Sequence, residues 1–162
     1  PEAPTVSAVC DINQAERVPL TLEAVRATRD RLSTVSGDQI DAVAVGSPHF
    51  SLTEFSELAT VARGRRFKIP FFACTGRDVI RALEGTEDRA TLDVAGLTFV
   101  ADTCVVVAPI LPETGGVLMT NSAKFAHYGP ANTGFDVIYG SLSDCVESAV
   151  AGRVIRDETL WR

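Results

Sequence analysis

Lysine is the scarcest charged residue of this chain. Only Lys68 and Lys124 accompany thirteen arginines. Histidine is equally rare, with His49 and His127 alone. In so arginine-biased a chain, a lysine near a polar cluster merits inspection. Positive charge is short overall, at 15 Lys+Arg against 21 Asp+Glu, a net charge of −6. That balance gives no general field to attract nucleic acid or an anionic membrane. No apolar run reaches the roughly 18–20 residues needed to span a bilayer. No basic-then-apolar stretch opens the chain, so no signal peptide is expected. There is no G-x-S-x-G elbow, no Walker A loop and no G-x-G-x-x-G, so serine hydrolase, nucleotide kinase and Rossmann dehydrogenase readings lose support. The four cysteines, Cys10, Cys74, Cys104 and Cys145, are spaced by 64, 30 and 41 residues. Without a C-x-x-C pair, a zinc ribbon or thioredoxin motif is not expected. The cysteines can equally be small buried hydrophobes.

What is present is material for one packed domain. Of 162 residues, 46% are apolar and 22% charged, which excludes a disordered tail. The chain opens on Pro1 rather than Met, as expected of a processed or cut chain or of part of something longer. Its hydrophobic period alternates between helix-like and strand-like. Helices are expected over 21–35, 51–62, 75–83, 89–95, 122–128 and 142–151. Strands are expected over 40–45, 68–74, 97–101, 104–108, 117–120 and 135–139. Thr21, Thr75, Ser122 and Ser141 are cap candidates, and Ser51 with Glu54 forms a capping box. Gly85, Gly96 and Gly152 are stops, Pro109 and Pro112 punctuate a loop, and residues 129–134 read as loop. Apolar strands alternating with helices predict an α/β fold, a largely parallel sheet covered by helices on both faces.

In such sheets ligands sit beyond the carboxyl ends of the strands. The residues after the strands are Ser47-Pro48-His49, Thr75-Gly76-Arg77, Asp102-Thr103-Cys104, Asn121-Ser122-Ala123-Lys124 and Gly140-Ser141. They are either plain helix caps or the lining of one pocket, and nearly all the reactive side chains of the chain fall among them. Ser122 and Lys124 form the densest group. A serine beside a desolvated amine can act as base or nucleophile, and helix amides there would hold a carboxylate or phosphate. The same pattern also describes a capped amphipathic helix. Cys104 at a strand end suits metal or cluster ligation. Cys145 falls in the first turn of a helix, where the dipole favours thiolate. Each of the two also reads as an ordinary buried cysteine.

Five segments, in order, resemble the aconitase X family: EAPT at Glu2–Thr5, DAVAVGSPHFS at Asp41–Ser51, ADTCVVVAP at Ala101–Pro109, TNSAKFAHYGP at Thr120–Pro130 and YGSLSDCVESAVAG at Tyr139–Gly152. The resemblance implies an aconitase-like three-layer α/β/α lobe over residues 1–162. That lobe would be the C-terminal portion of a longer catalytic subunit. The remaining N-terminal region and a small swivelling subunit or domain would be its partners. It implies an iron–sulfur-dependent hydro-lyase in a cytoplasmic setting, with a 2Fe–2S cluster favoured over 4Fe–4S and a small hydroxy acid as substrate. Neither nucleic acid nor membrane is an expected partner.

Two activities are implied by the family, dehydration of cis-3-hydroxy-L-proline to a pyrroline carboxylate and dehydration of mevalonate 5-phosphate. Ser47 stands where phosphomevalonate-type members tend to carry Cys, which tilts the expectation to hydroxyproline. A non-catalytic binding or assembly lobe is the alternative outside the class. On the resemblance, Ser122 is the expected base, with Lys124 assisting. Ser47, His49, Thr75, Arg77 and Asn121 would bind substrate. Cys104 and Cys145 would be two cluster ligands, with their sulfurs close together.

Overall fold

The computed structural model describes residues 4–111 and 115–161. Pro112 and the first two residues of the EAPT segment lie outside the described residues. The chain forms α1 (Leu22–Leu32), β1 (Ala42–Val45), α2 (Leu52–Ala62), β2 (Phe71–Thr75), α3 (Arg77–Leu83), α4 (Glu87–Ala95), β3 (Leu97–Ala101), β4 (Val117–Thr120), α5 (Ala123–Thr133), β5 (Asp136–Tyr139) and α6 (Leu142–Ala151). The five strands pair in parallel in the order β3-β2-β1-β4-β5. The chain starts in the middle with β1 and winds outward through β2 and β3. It then crosses back to lay β4 on the other side of β1.

Alternation along the strands sorts the core into two layers. Val43, Val45, Phe71 and Ala73 face α2, α4 and α6, where they meet Phe55, Leu58, Leu92 and Val146. Each of those large side chains is wholly buried, and such burial stabilises by roughly 1.5–3 kcal/mol apiece. Ala42, Ala44, Phe72, Cys74, Leu118 and Val137 face the other way, under Phe125 of α5 and the segment after β3. The expected three-layer α/β/α lobe with a parallel sheet is therefore what the chain forms.

Three local expectations need correction. The apolar run 104–108 is a turn, not a strand: the Val107 and Ala108 amides both donate to the Cys104 carbonyl, at 3.1 Å. Asp102, at φ 57°, turns the chain out of the sheet. Val105 and Val106 are then apolar because they lie flat on the face formed by Phe72 and Val100. Composition alone does not separate such a segment from a strand. Next, α5 runs on through Gly129-Pro130 to Thr133. Gly129 packs closely there: a β-carbon would lie 3.2–3.4 Å from the Phe125 ring and Val137, tight enough that they would have to shift by a few tenths of an ångström. Finally, α1 ends at Leu32. Ser33 and Thr34 instead cover the outer edge of β5, with Thr34 N donating to Val137 O at 2.8 Å and Tyr139 N to Ser33 Oγ at 3.1 Å.

Candidate active site

The sheet order reverses between β1 and β4, and a crevice opens at their carboxyl ends, where doubly wound sheets bind ligands. It encloses about 370 Å³. Gly46, Ser47, Pro48 and Phe50 line it from the β1 turn, and Glu54 from the first turn of α2. Asn121, Ser122, Ala123 and Lys124 line it from the β4 turn, and Tyr139 from the end of β5. The β1 turn can lie this low because of Gly46. At φ 86° it is pressed on Cys74, and a β-carbon there would sit 2.1 Å from the Cys74 carbonyl oxygen.

Ser122 joins the two sides. Its hydroxyl accepts from Phe125 N at 3.0 Å, capping α5, and donates to the Ser47 carbonyl. Lys124 is exposed, and none of the ion pairs among the described residues includes it. Glu54 closes the α2 capping box, its Oε2 accepting from Ser51 N and Ser51 Oγ, both at 2.8 Å. Burial pushes the Tyr139 phenol above its ordinary value, with the nearby Cys145 thiol adding to the effect.

The structure thus brings Ser47, Asn121, Ser122 and Lys124 into one crevice. His49, Thr75 and Arg77 do not line it. They brace the turns after β1, β2 and β3. Thr75 is wholly buried, and its hydroxyl donates to the Phe50 carbonyl at 2.6 Å. It ends β2 rather than capping α3, whose N-cap is Gly76. Arg77 is taken up by Asp102, which accepts from its backbone amide at 3.0 Å and from its Nε. The Arg77 amide, then its guanidinium, holds the Asp102 carboxyl below the ordinary carboxylate range, with His49 helping. His49 is exposed, its Nε2 3.2 Å from the Thr103 carbonyl.

The expected cysteine pairing does not form within this chain. Cys104 is half-buried and packs on the sheet face that carries Cys74. Cys145 is wholly buried in the layer on the opposite face, with Val43, Val45 and α2. Burial, assisted by Asp144, pushes its thiol far above the ordinary range. The two fall in opposite core layers, because α6 presents Cys145 inward against the layer of Val43 and Val45. Burial likewise raises the Cys74 thiol to about 11.

Sequence reasoning missed Glu54 and Tyr139 as crevice residues. Glu54 carried a signal, the Ser-x-x-Glu box, but that signal speaks only of capping. Among the described residues, no group of three or more His, Cys, Asp or Glu is gathered to hold a metal ion. No described helix is long and apolar enough to cross a membrane.

A family model described as the aconitase X third domain matches residues 40–151. Cis-3-hydroxy-L-proline dehydratase of Pseudomonas aeruginosa is 38% identical over 159 residues, which cover 94% of this chain and 27% of that protein. The enzyme of the same name from Hypocrea jecorina is 37% identical, over 74% of this chain and 21% of its own length. The large subunit of phosphomevalonate dehydratase from Methanothermobacter thermautotrophicus is 34% identical, over 68% and 28% respectively. The chain therefore spans between about a fifth and about three-tenths of the length of these relatives. Among solved structures, aconitase X of Thermococcus kodakaraensis in its holo form superposes with a TM-score of 0.67 at 28% identity. That match covers 78% of this chain and 33% of the other.

Proposed function

This chain belongs to the aconitase X family, and we propose that it is the third domain of a hydro-lyase that dehydrates cis-3-hydroxy-L-proline, with the crevice between β1 and β4 as its part of the active site. The observation that carries the substrate is the cation inventory at the strand ends. Among the described residues, Lys124 is the cation lining the crevice, while Arg77 is committed to Asp102. One cation suits a single carboxylate, whereas a phosphate dianion calls for a clamp of several donors. The identities of 38% and 37% to two enzymes named for this substrate support the same choice.

In this reading Lys124 and the amides at the start of α5 hold the substrate carboxylate. The amides of Ala123 and Lys124 come first in the helix and have no intrahelical acceptor. Ser122 acts as the alkoxide, its own proton released to solvent and its charge met by Lys124 and the α5 amides, and takes the proton from the adjacent carbon. Loss of that proton ends its bond to the Ser47 carbonyl, while its role as acceptor from Phe125 N keeps the oxygen in place. Ser47 and Asn121 line the walls, and His49, Thr75 and Arg77 fix the turns that form them.

An iron–sulfur cluster would supply Lewis-acid assistance to the departing hydroxyl. The described residues of this chain do not by themselves make a complete ligand set for it. Cys104, at the turn after β3, would contribute one ligand. The others would come from the remainder of the protein, which the relatives carry as additional length. Cys145, buried on the far side of the sheet, does not fit.

The test is a pair of variants in the complete protein. Ser122→Ala removes both the hydroxyl and the helix cap, whereas Ser122→Asn keeps a capping side chain. Both lower kcat by roughly two to four orders of magnitude, as loss of a general base does. Only Ser122→Ala should also lose about 1 kcal/mol of stability from the missing cap. A Ser122→Asn protein with near-normal turnover moves the base elsewhere.

A further inference from the structure

The crevice carries a carboxylate as well as an amine, and the dehydratase reading leaves that carboxylate without a task. We propose that Glu54 is the specificity residue that receives the positively charged nitrogen of the substrate, so that the crevice recognises both charges of a zwitterion. This rests on the dehydratase reading above and names the second half of its substrate recognition.

Three features of the site support the assignment. The first is position. Glu54 lines the same crevice as Lys124, but from the β1 side, on α2, while Lys124 stands on the β4 side, at the start of α5. Opposite charges on the two walls match a molecule that carries both a carboxylate and an ammonium, as an α-amino acid does on a single carbon.

The second is hydrogen-bond accounting. Both hydrogen bonds that Glu54 accepts, the capping-box bond from Ser51 N and a further one from Ser51 Oγ, fall on Oε2. Neither uses the second oxygen. A cap needs only an acceptor, and glutamine serves as well as glutamate in this motif. The negative charge is therefore more than the cap requires.

The third is the local field. Two helices begin at this crevice, and each positive end would attract an anion. At α5 that attraction is reinforced by Lys124. At α2 it is cancelled by the helix's own Glu54, in its first turn. One wall is left receptive to anions and the other to cations. A substrate with a phosphate dianion would meet Glu54 as a like charge. A ring amino acid would meet it as a partner, with the ring itself against Phe50 and Tyr139, which also line the crevice.

The experiment uses the complete protein and two competing ligands of the same ring size, L-proline and cyclopentanecarboxylate, which lacks the nitrogen. The unaltered protein should prefer L-proline by about ten- to a hundred-fold, the range of a hydrogen bond to a charged group. Glu54→Gln should abolish that preference by weakening L-proline alone. It should also raise KM for cis-3-hydroxy-L-proline about ten-fold or more, with kcat changed much less. Ser51→Ala is the control. It breaks the box and lowers the melting temperature but leaves the carboxylate, so the preference should persist. The proposal is overturned if Glu54→Gln keeps the preference for L-proline, or if Ser51→Ala erases it equally, which would make the effect one of helix geometry. Turnover of cis-3-hydroxy-L-proline by the unaltered protein reports separately on the dehydratase reading, so the two failures are distinguishable.

Discussion

Replacing Gly46 with alanine should be among the most damaging small substitutions in the chain. Gly46 follows β1, sits at φ 86° and faces the backbone of Cys74. Alanine would meet two separate penalties. Holding a β-carbon in the left-handed region costs about 1–2 kcal/mol. The new methyl would also lie 2.1 Å from the Cys74 carbonyl oxygen and 2.8 Å from its nitrogen. Both atoms belong to the strand backbone and cannot swing aside. Overpacking of this kind costs typically about 1–3 kcal/mol, so the combined loss is about 2–5 kcal/mol. At about 2–4 °C per kcal/mol for a domain of this size, the melting temperature should fall by roughly 5–20 °C. Gly64→Ala is the matched control. Its φ is 71°, but nothing lies within 4 Å of the added carbon, so only the backbone penalty applies. Thermal unfolding of both variants isolates the contact with Cys74. If Gly46→Ala melts where Gly64→Ala does, the β1 turn is not pressed on β2 and the shape of the crevice is wrong.

Thiol labelling under native conditions should modify Cys10, which is exposed, and Cys104, which is half-buried, but not Cys74 or Cys145. Mass spectrometry after brief alkylation reads this directly, and rapid labelling of Cys145 in the folded protein would contradict its place in the core. A second prediction concerns acid stability. Arg65 donates to both oxygens of Glu147, at 2.5 and 2.6 Å, and holds that carboxyl below its ordinary value of 4.5. The stabilisation is complete above the unfolded value and is lost as pH falls through the lower folded one. Glu147→Gln should therefore lower stability at neutral pH by a small amount, since the pair is partly exposed, and the difference from the unaltered protein should shrink as the pH falls below 4.5. A difference that grows on acidification would reverse the sign.

Much of the fold was legible in the sequence because its signals are local. The capping box at Ser51-x-x-Glu54 and the Ser141 cap are both formed, and α6 occupies its expected range. Where local signals misled, a tertiary contact had decided otherwise. Gly129-Pro130 reads as a terminator, yet the helix passes through it, with Gly129 buried beside Val137 of β5. The run 104–108 reads as a strand, yet it packs on a face of the sheet. The site was half legible for the same reason. Strand-end turns could be found from the sequence, and with them Ser47, Asn121, Ser122 and Lys124. Which turns converge depends on strand order, and β1 lies beside β4 only because the chain crosses back after β3. That crossing leaves Thr75 and Arg77 outside the crevice, while His49 turns from the β1 loop toward Thr103. It also brings Glu54 within the same walls as Lys124.

The most direct test of the central claim is a competition assay of the complete protein supplied with cis-3-hydroxy-L-proline and mevalonate 5-phosphate together. A crevice with one lysine and one opposed carboxylate predicts dehydration of the hydroxyproline, with the phosphate ester neither consumed nor inhibitory at comparable concentration. Consumption of mevalonate 5-phosphate in preference to hydroxyproline would contradict it.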